Sequence, residues 1–340
     1  MKNKGLFIFA AIVAMTFSSC EKETPLTAND QFIPTATGED PSGGNPNGGG
    51  TGGGTGGGTG GGTGGGTGGG IPADFLAPTT PSNRVAVLED FTGVRCGYCP
   101  DGHVVAAGIK TALGDDFIVI AVHASGHYSQ PSTGWPNYET PFGDAIKNQA
   151  KPTGFPAGSM NRILANDLNV PPQDTAGAGG MAMSRNHWAT AANNVIAMTS
   201  PVNIGAKATI SGQIITVVVD LYYTEDETAT NNINVALLQD NLMGRQSGGQ
   251  PNPNNYNNSH VLRALIAGPD ATNTQWGDPV VEATTKDSFV RKTYTYTLPA
   301  DYNGPGPDGG GAIVIDDLNV VAFVSRGQSD ILTAVKVDVE

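Results

Sequence analysis

Two cysteines, Cys96 and Cys99, are the residues of this chain whose type and spacing most directly indicate chemistry. Cysteines at i and i+3 at the start of a helix face each other and can close a small disulfide with little backbone change. A thiol at that position meets unpaired backbone N–H groups and the helix dipole, which stabilise its thiolate. Such sites lower the pKa of a cysteine from about 8.5 to about 3.5–7.5. We therefore predict that Cys96, next to the cationic Arg95, is the attacking thiol, and that Cys99, one turn inside the helix, is the resolving thiol.

The segments around the cysteines predict the elements that position them. Residues 84–91, RVAVLEDF, are typical of a buried strand, and the residues after His103 have helical character up to Gly114, which is placed to end the helix. Residues 116–123, DFIVIAVH, predict a second buried strand. Pro100 fits the first helical turn, where its missing N–H does no harm. Between a strand and a helix of this kind, a CxxC motif indicates a redox pair.

A proline loop follows about 50 residues after the cysteines, in the sequence KPTGFPAGSMNR. Thioredoxin-like proteins carry a cis-proline at the start of the strand that faces the CxxC motif. Pro156 is the better match, because Pro152 lies outside the predicted strand. The predicted catalytic set is therefore Cys96, Cys99 and Pro156. Four further residues are predicted to line a substrate groove: Arg95, Tyr98, His123 and Phe155.

Three segments together resemble the Omp-twenty-eight-related outer membrane protein family of Bacteroidetes: EDFTGVRCGYCPDGH, VHASGHY and PTGFPAGSMNR. The resemblance covers roughly residues 74–340 and is strongest at 86–103 and 152–162. It implies a lipoprotein with an α/β thioredoxin-like domain followed by a β-rich domain. Val94 and Arg95 stand where thioredoxins usually carry a tryptophan before the first cysteine, so the groove differs from theirs.

The first residues of the chain predict export and a lipid anchor. Lys2 and Lys4 precede the apolar run of residues 5–17, which is too short to span a bilayer as a helix but fits a secretory signal. The Ser18-Ser19-Cys20 sequence that follows resembles the lipobox of bacterial lipoproteins. We predict a signal peptide over 1–19 and acylation of Cys20, which attaches the protein to the outer membrane on its periplasmic or cell-surface side. The alternative is an ordinary cleaved signal with an incidental cysteine.

A low-complexity segment follows the predicted lipidation site. Residues 43–70 hold 20 of the 48 glycines in the chain, in a run that ends in five GGGT-type repeats. Residues 20–73 contain no periodic apolar pattern, so they cannot bury enough surface to offset the entropy of ordering. We predict that this segment is a disordered tether between the anchor and the folded part of the chain.

Other ionisable residues near the CxxC motif leave alternatives open. Glu89 or Asp90, at the end of the first strand, could take the proton of Cys99 or lie at a surface strand end. His103 could share a helix face with both cysteines as a metal ligand or make a local hydrogen bond. A lone CxxC supplies only two ligands for copper or zinc, even with His123 and His127 nearby. We predict no metal and no cofactor.

The remaining segments complete the predicted architecture. Residues 128–150 predict an insertion with a short helix, whose aromatic residues form either a groove wall or a small core of their own: Trp135, Tyr138 and Phe142. Residues 179–198 predict one more helix, with four packing positions: Met181, Trp188, Ala192 and Ile196. Beyond residue 200, six alternating runs predict an antiparallel β-sandwich, and residues 246–258 predict a long polar loop.

The sequence thus predicts an α/β thioredoxin-like domain over 74–199 and an all-β sandwich-like domain over 200–340, after the disordered tether. The formal charge of −13 argues against nucleic-acid binding, which needs a basic face. The predicted function is thiol–disulfide exchange with an unidentified protein partner, by a protein held at the membrane through Cys20. The alternative is a surface-exposed binding or structural lipoprotein, with a static disulfide and the β domain as its binding module.

Overall fold

The computed structural model describes residues 70–126, 128–174, 179–267 and 274–340. The predicted signal peptide, Cys20, nearly all of the predicted tether and His127 lie outside these ranges. Three α-helices form within them: α1 (Cys99–Leu113), α2 (Gly143–Ala150) and α3 (Trp188–Ile196). None of the helices in the described part of the chain is long and apolar enough to cross a membrane.

The strands in the CxxC half are β1 (Ala86–Thr92), β2 (Phe117–His123), β3 (Ala157–Met160) and β4 (Ala182–Met183). Those of the C-terminal half are β5 (Val202–Ser211), β6 (Ile214–Tyr223), β7 (Asn231–Gln239), β8 (Leu242–Gly244), β9 (Tyr256–Asn258), β10 (Val261–Leu265), β11 (Asp278–Pro279), β12 (Phe289–Thr297), β13 (Leu318–Arg326) and β14 (Ser329–Asp338). All six strand-like runs predicted beyond residue 200 are confirmed as strands: β5, β6, β7, β12, β13 and β14.

The CxxC half is built around β1, which is buried along its whole length. β1 pairs in parallel with β2, and α1 makes the connection between them. On its other side β1 pairs antiparallel with β3, which in turn pairs antiparallel with β4. The predicted strands over 84–91 and 116–123 are confirmed, with shifts of one or two residues. Gly114 follows the last residue of α1 with φ 56°, a conformation that glycine adopts at little cost.

The helix predicted over residues 179–198 is wrong in nearly its first half, up to residue 187. Residues Ala182 and Met183 form β4 instead, because they complete the sheet edge beside β3. The helix proper is α3, which begins at Trp188. Of the predicted packing positions, Trp188 and Ala192 are fully buried, whereas Met181 and Ile196 are only partly buried. The pairing of β4 with β3 thus overrides the apolar spacing that favoured a longer helix.

One nine-stranded sheet extends from the CxxC half into the C-terminal half, in the order β14-β13-β7-β10-β2-β1-β3-β4, with β11 also paired to β7. The two halves join where β10 lies parallel to β2, with Val261 opposite Ala121. At this junction the Ala121 N–H donates to the carbonyl of His260 at 2.8 Å. The boundary predicted between residues 199 and 200 therefore lies within a structure that shares one sheet.

A second, antiparallel sheet of order β12-β6-β5 packs on the C-terminal half of the large sheet. Their shared core takes side chains from both sheets, including Val217, Tyr223, Val235 and Val320. This agrees with the predicted sandwich-like packing. The larger of these two sheets, however, also includes the strands of the CxxC half. The connection is made by β10, which pairs with β7 on one edge and with β2 on the other.

The large sheet curls so that β14 returns to the CxxC half. The Ile331 N–H donates to the carbonyl of Asn161 at 2.8 Å, just beyond the end of β3. The concave side encloses an apolar core that joins the two halves and includes Val87, Ile120, Leu238 and Phe323. The convex side of the CxxC half is covered by α1 and α3. The cysteines at the start of α1 are therefore held by elements of both halves.

Candidate functional site

Cys96 and Cys99 form a disulfide in the segment that joins β1 to α1, with their Cα atoms 5.4 Å apart. The helix begins at Cys99, and Pro100 lies in its first turn as predicted. Cys96 instead belongs to a turn that the Cys96 N–H closes by donating to the carbonyl of Gly93 at 3.0 Å. The prediction that Cys96 occupies the helix N-terminus and Cys99 the next turn is therefore wrong by about one turn.

Both cysteines are fully buried, each with 0% of its surface exposed. The covering residues include a segment that is distant in sequence, in the loop between β8 and β9. The side chain of Gln246 donates to the carbonyl of Cys96 at 3.0 Å. The next residue, Ser247, donates its N–H to the carbonyl of Val94 at 2.8 Å. Sequence reasoning identified this loop only as polar, because nothing in its residues indicates which surface it meets.

Asp90 lies on β1 behind the start of α1, and it is 1% exposed. Its Oδ1 atom has no hydrogen-bond partner among the described residues, and its Oδ2 lies 3.8 Å from Nε2 of His103 on α1. Burial raises the pKa of this carboxyl to about 8, because the charged form is poorly solvated there. Burial therefore favours the protonated form of Asp90 at neutral pH, on the side of β1 that faces His103 of α1.

Glu89, the other carboxylate predicted beside Cys99, has a different environment. Successive residues of a strand point to opposite faces of the sheet, so Glu89 points away from Asp90. Its Oε1 accepts hydrogen bonds from Nε of Arg162 at 2.9 Å and from Nη2 at 2.7 Å. Both side chains of this ion pair are almost fully buried. The structure thus leaves Asp90 alone as the carboxyl that faces α1.

His103 connects α1 to both halves of the protein. Its Nε2 lies 3.0 Å from Oγ1 of Thr92, and its Nδ1 lies 2.9 Å from the hydroxyl of Tyr256 on β9. Burial, together with the charge of His260, lowers the pKa of His103 to about 4, so the ring is neutral at pH 7. The local hydrogen bond that the sequence allowed is present with Thr92. The partner on β9 was missed, because it lies 153 residues away in sequence.

A cavity of about 430 Å³ opens beside these residues. Asp90 and His103 line it from the sheet and from α1, and Lys110 lines it further along the helix. Asn257 and His260 line the opposite side, from the C-terminal half. Asp90 thus borders a cavity whose walls come from both halves of the protein.

The predicted groove residues separate into three environments. Tyr98 is 36% exposed, whereas Arg95 and Phe155 are partly buried. The ring of Phe155 lies 5.1 Å from the ring of Tyr128, and the Tyr128 carbonyl accepts the N–H of Arg95 at 2.8 Å. The structure therefore brings Arg95 and Phe155 together through Tyr128, a residue that sequence reasoning did not select.

His123, the fourth predicted groove residue, does not line an open groove. It is 3% exposed, and its ring lies 5.1 Å from that of Tyr138, edge to face. Burial and the charges of His103 and Arg263 lower the pKa of His123 to about 3. Tyr138 itself packs with Val94 in a small apolar cluster that also contains residues of the C-terminal half. It therefore belongs neither to a groove wall nor to a separate core of the segment 128–150.

The Phe155–Pro156 peptide bond is cis, in agreement with the sequence prediction. Pro156 is buried against the first turn of α1, where a Cβ added to Gly102 would lie 3.0 Å from the Cβ of Pro156. Cys96, Cys99 and Pro156 thus surround one helix end. Across the described ranges, no three His, Cys, Asp or Glu side chains come together as ligands for a metal ion.

Known proteins of similar structure include two from Porphyromonas gingivalis. HBP35 of Porphyromonas gingivalis has a similar structure, with a TM-score of 0.56, 19% sequence identity and coverage of 76% of each chain. A domain of the outer membrane lipoprotein Omp28 from Porphyromonas gingivalis aligns at 24% identity over 42% of this chain and 99% of that domain, with a TM-score of 0.27. A search of curated proteins gives no match. A profile of the outer membrane protein Omp28 family matches residues 143–340, which is more than half of the chain. The protein therefore belongs to the Omp28 family of outer membrane proteins.

Proposed function

We propose that this protein is an envelope thiol–disulfide exchange protein, with Cys96 and Cys99 as its redox pair. The observation that carries the proposal is the disulfide at the start of α1, with the buried carboxyl of Asp90 facing the same helix at His103. The strand order β2-β1-β3-β4, with α1 between two parallel strands and Pro156 directly before β3, supports a thioredoxin-like fold for this half. A disulfide alone could be structural, whereas this combination provides both electron and proton transfer.

The reaction exchanges two electrons and two protons with a protein partner. In the reduced protein, the Cys96 thiolate attacks one sulfur of a partner disulfide, and the partner's other sulfur leaves as a thiolate that takes up a proton. The Cys99 thiolate then attacks the Cys96 sulfur of the mixed disulfide. This step closes the Cys96–Cys99 bond and releases the second partner thiol. In the opposite direction, a dithiol partner reduces the Cys96–Cys99 disulfide by the same steps.

Asp90 is the group that would hold the proton of the resolving thiol. Cys99 must lose its proton before it can attack, and thiolates rather than thiols are the nucleophiles. A carboxyl with a pKa of about 8 gains and loses a proton near neutral pH, whereas an exposed aspartate would already be ionised. Asp90 faces α1 at His103, one turn after Cys99. We assign it two roles: its protonated form donates to the Cys99 thiolate that leaves when the disulfide opens, and its ionised form accepts the proton of Cys99 before Cys99 attacks.

The location in the proposal is the outer membrane, through a lipid on Cys20. Membership in an outer membrane protein family supports an envelope location. An acylated cysteine at residue 20 and the glycine-rich residues up to 73 would hold the folded part at a distance from the bilayer, and two or more acyl chains give stable anchoring. Metabolic labelling with a fatty acid, compared with Cys20→Ala, tests the anchor. Protease treatment of intact cells tests whether the protein faces outward.

A cysteine-trap experiment tests the proposed exchange. The Cys99→Ser variant keeps the attacking thiol but cannot resolve a mixed disulfide, so it should accumulate partner adducts that a reductant releases. The Cys96→Ser/Cys99→Ser double variant, expressed to the same level, is the matched control and should give no adducts. If the single variant traps no partner in cells, and the wild-type pair never changes redox state there, the exchange function is wrong.

A second function is favoured by the full burial of both cysteines. A static disulfide would stabilise the turn before α1, and the C-terminal half would then bind a partner in the envelope. In that case the cysteine pair stays oxidised in cells under all growth conditions, and replacing both cysteines with serine leaves partner binding intact. The redox state of Cys96 and Cys99 in cells therefore distinguishes the two functions.

A further inference from the structure

A segment of the C-terminal half, residues 245–250, packs on the turn that carries the disulfide, and we call this segment the cover. It follows β8 and begins the loop that returns to β9. The cover approaches this turn so closely that a Cβ added to Gly248 would collide with the carbonyl oxygen of Gly97. Gly97 lies between the two cysteines in sequence. The cover therefore lies directly on the disulfide turn.

Hydrogen bonds to the backbone of the disulfide turn hold the cover in place. Nε2 of Gln246 donates to the carbonyl of Gly93 at 3.1 Å and to that of Cys96 at 3.0 Å. The N–H of Ser247 donates to the carbonyl of Val94 at 2.8 Å. Gln246 is fully buried, yet its Oε1 has no hydrogen-bond partner among the described residues. The contact is thus built mainly from polar groups that water can satisfy when the segments separate.

Two contacts fix the ends of this loop. At the start, the guanidinium of Arg245 lies 4.1 Å from the centre of the Trp135 ring. At the end, the hydroxyl of Tyr256 meets Nδ1 of His103 at 2.9 Å. Between these points most residues of the loop are exposed, including Gly248, and none is a large apolar residue. The loop can therefore move without opening an apolar core.

Burial of the disulfide conflicts with exchange unless the cover moves. A thiolate must approach a disulfide sulfur along the S–S axis, and neither cysteine exposes any surface in the closed structure. We propose that residues 245–250 are a displaceable cover, and that thiol–disulfide exchange takes place only from an open form in which they have left the disulfide turn. This inference rests on the proposed exchange function and adds its regulation. When the cover opens, the carbonyl of Val94 is freed to accept a backbone N–H from the partner.

The test measures native-state reduction of the purified protein by dithiothreitol. One dithiothreitol thiolate attacks a disulfide sulfur, and the second closes the oxidised ring, so two electrons pass to Cys96 and Cys99. Samples are quenched with acid and alkylated, and the reduced fraction is read by mass spectrometry. Gln246→Ala removes both side-chain hydrogen bonds from the cover to the disulfide turn. Because one such bond changes the population of the open form by about 2- to 13-fold, this variant should be reduced about 10-fold faster than wild type. Gln149→Ala, which loses a bond to the Gln328 carbonyl on a distant surface, is the matched control and should react like wild type.

A second variant and the urea dependence keep the test independent of folding defects. Arg245→Ala removes only the contact with Trp135, at an exposed position, and should accelerate reduction by a smaller factor. The rate should depend only weakly on urea below the unfolding transition, because opening the cover exposes little surface. The inference is overturned if both variants react at the wild-type rate. It is also overturned if the wild-type rate rises with urea as steeply as global unfolding does.

The outcome separates the cover from the exchange function itself. Dithiothreitol needs no biological partner, so accelerated reduction of Gln246→Ala supports the cover even if the cysteine trap captures nothing. Conversely, a trapped partner together with unchanged reduction rates keeps the exchange function and removes the cover. In the Cys99→Ser background, adding Gln246→Ala should increase the yield of trapped partner.

Discussion

Replacing Asp90 with asparagine should change how the stability of the protein depends on pH. The carboxyl is buried behind α1, and its Oδ1 has no hydrogen-bond partner among the described residues. Burial raises its pKa to about 8, whereas an aspartate in an unfolded chain has a pKa of about 3.9. Asparagine has nearly the same shape and cannot titrate. Comparing the two proteins therefore isolates the proton on Asp90.

The sign and size of the effect follow from proton binding. Between about pH 4 and pH 8 the folded wild-type protein holds a proton on Asp90 that the unfolded chain has released. Its free energy of unfolding therefore falls as pH rises, by about 1.4 kcal/mol per pH unit from this group. Relative to Asp90→Asn, wild type should lose about 2.7 kcal/mol between pH 5 and pH 7. The contribution is fully present below pH 4 and fully lost above the folded-state pKa.

Urea denaturation at pH 5, 6, 7 and 8, followed by tryptophan fluorescence with the disulfide intact, measures this difference. The asparagine amide changes the free energy of unfolding by the same amount at every pH. The result is therefore read from how the difference in free energy between the two proteins changes with pH. Asp115→Asn is a matched control for the loss of one carboxylate, because that side chain is fully exposed. If the difference between Asp90→Asn and wild type is constant from pH 5 to pH 8, Asp90 is ionised in the folded protein. It then holds no proton that it could exchange with Cys99 near neutral pH, and its assigned role as proton donor and acceptor fails.

Three further predictions concern the core around the site. Gly158→Ala places a Cβ 2.5 Å from Nε1 of the buried Trp188. It should lower the free energy of unfolding, measured by urea denaturation, by about 1–3 kcal/mol. An unchanged urea midpoint would contradict this packing. Glu89→Gln and Arg162→Met should each lower the free energy of unfolding by about 3–5 kcal/mol, because each leaves a buried charge unpaired. The double variant should recover part of this loss. Additive losses in a double-mutant cycle would contradict the coupling. The pKa of His123 is lowered to about 3, so the stability it provides is present above pH 6.5 and is lost as pH falls toward 3. His123→Asn should therefore lose less stability than wild type between pH 6.5 and pH 4, by about 1.4 kcal/mol per pH unit, and equal losses would exclude a neutral buried imidazole.

The parts of the fold that the sequence predicted are those set by local rules. The strand before Cys96 and the strand that ends at His123 are short apolar runs between turn residues, which is the pattern of strands buried on both faces. Gly114 ends α1 because glycine accepts the positive φ found there. The six strands beyond residue 200 follow from their alternation. The pairing of the large sheet was missed, since nothing in these runs specifies that β10 lies beside β2.

The site was predicted in its residues but not in its environment. Cys96 and Cys99 were identified by their spacing and by the predicted strand and helix around them, and their complete burial was missed because it depends on contacts across about 150 residues of sequence. The separate roles of Glu89 and Asp90 follow from strand alternation, but choosing the carboxyl that faces α1 requires knowing which face of β1 the helix covers. Which face of a strand a helix covers is set by packing between elements, and a single sequence does not specify that packing.

The C-terminal half completes the proposed redox site rather than acting beside it. Gln246 bonds to the disulfide turn, Tyr256 bonds to His103, and His260 borders the cavity next to Asp90. Cys96, His103 and Asp90 therefore each have a neighbour from beyond residue 200. Access to the disulfide and the charge state of its neighbours thus depend on how the two halves pack. A partner that binds the C-terminal half has a direct physical route to the thiols, because the cover and the strand β9 belong to the same hairpin.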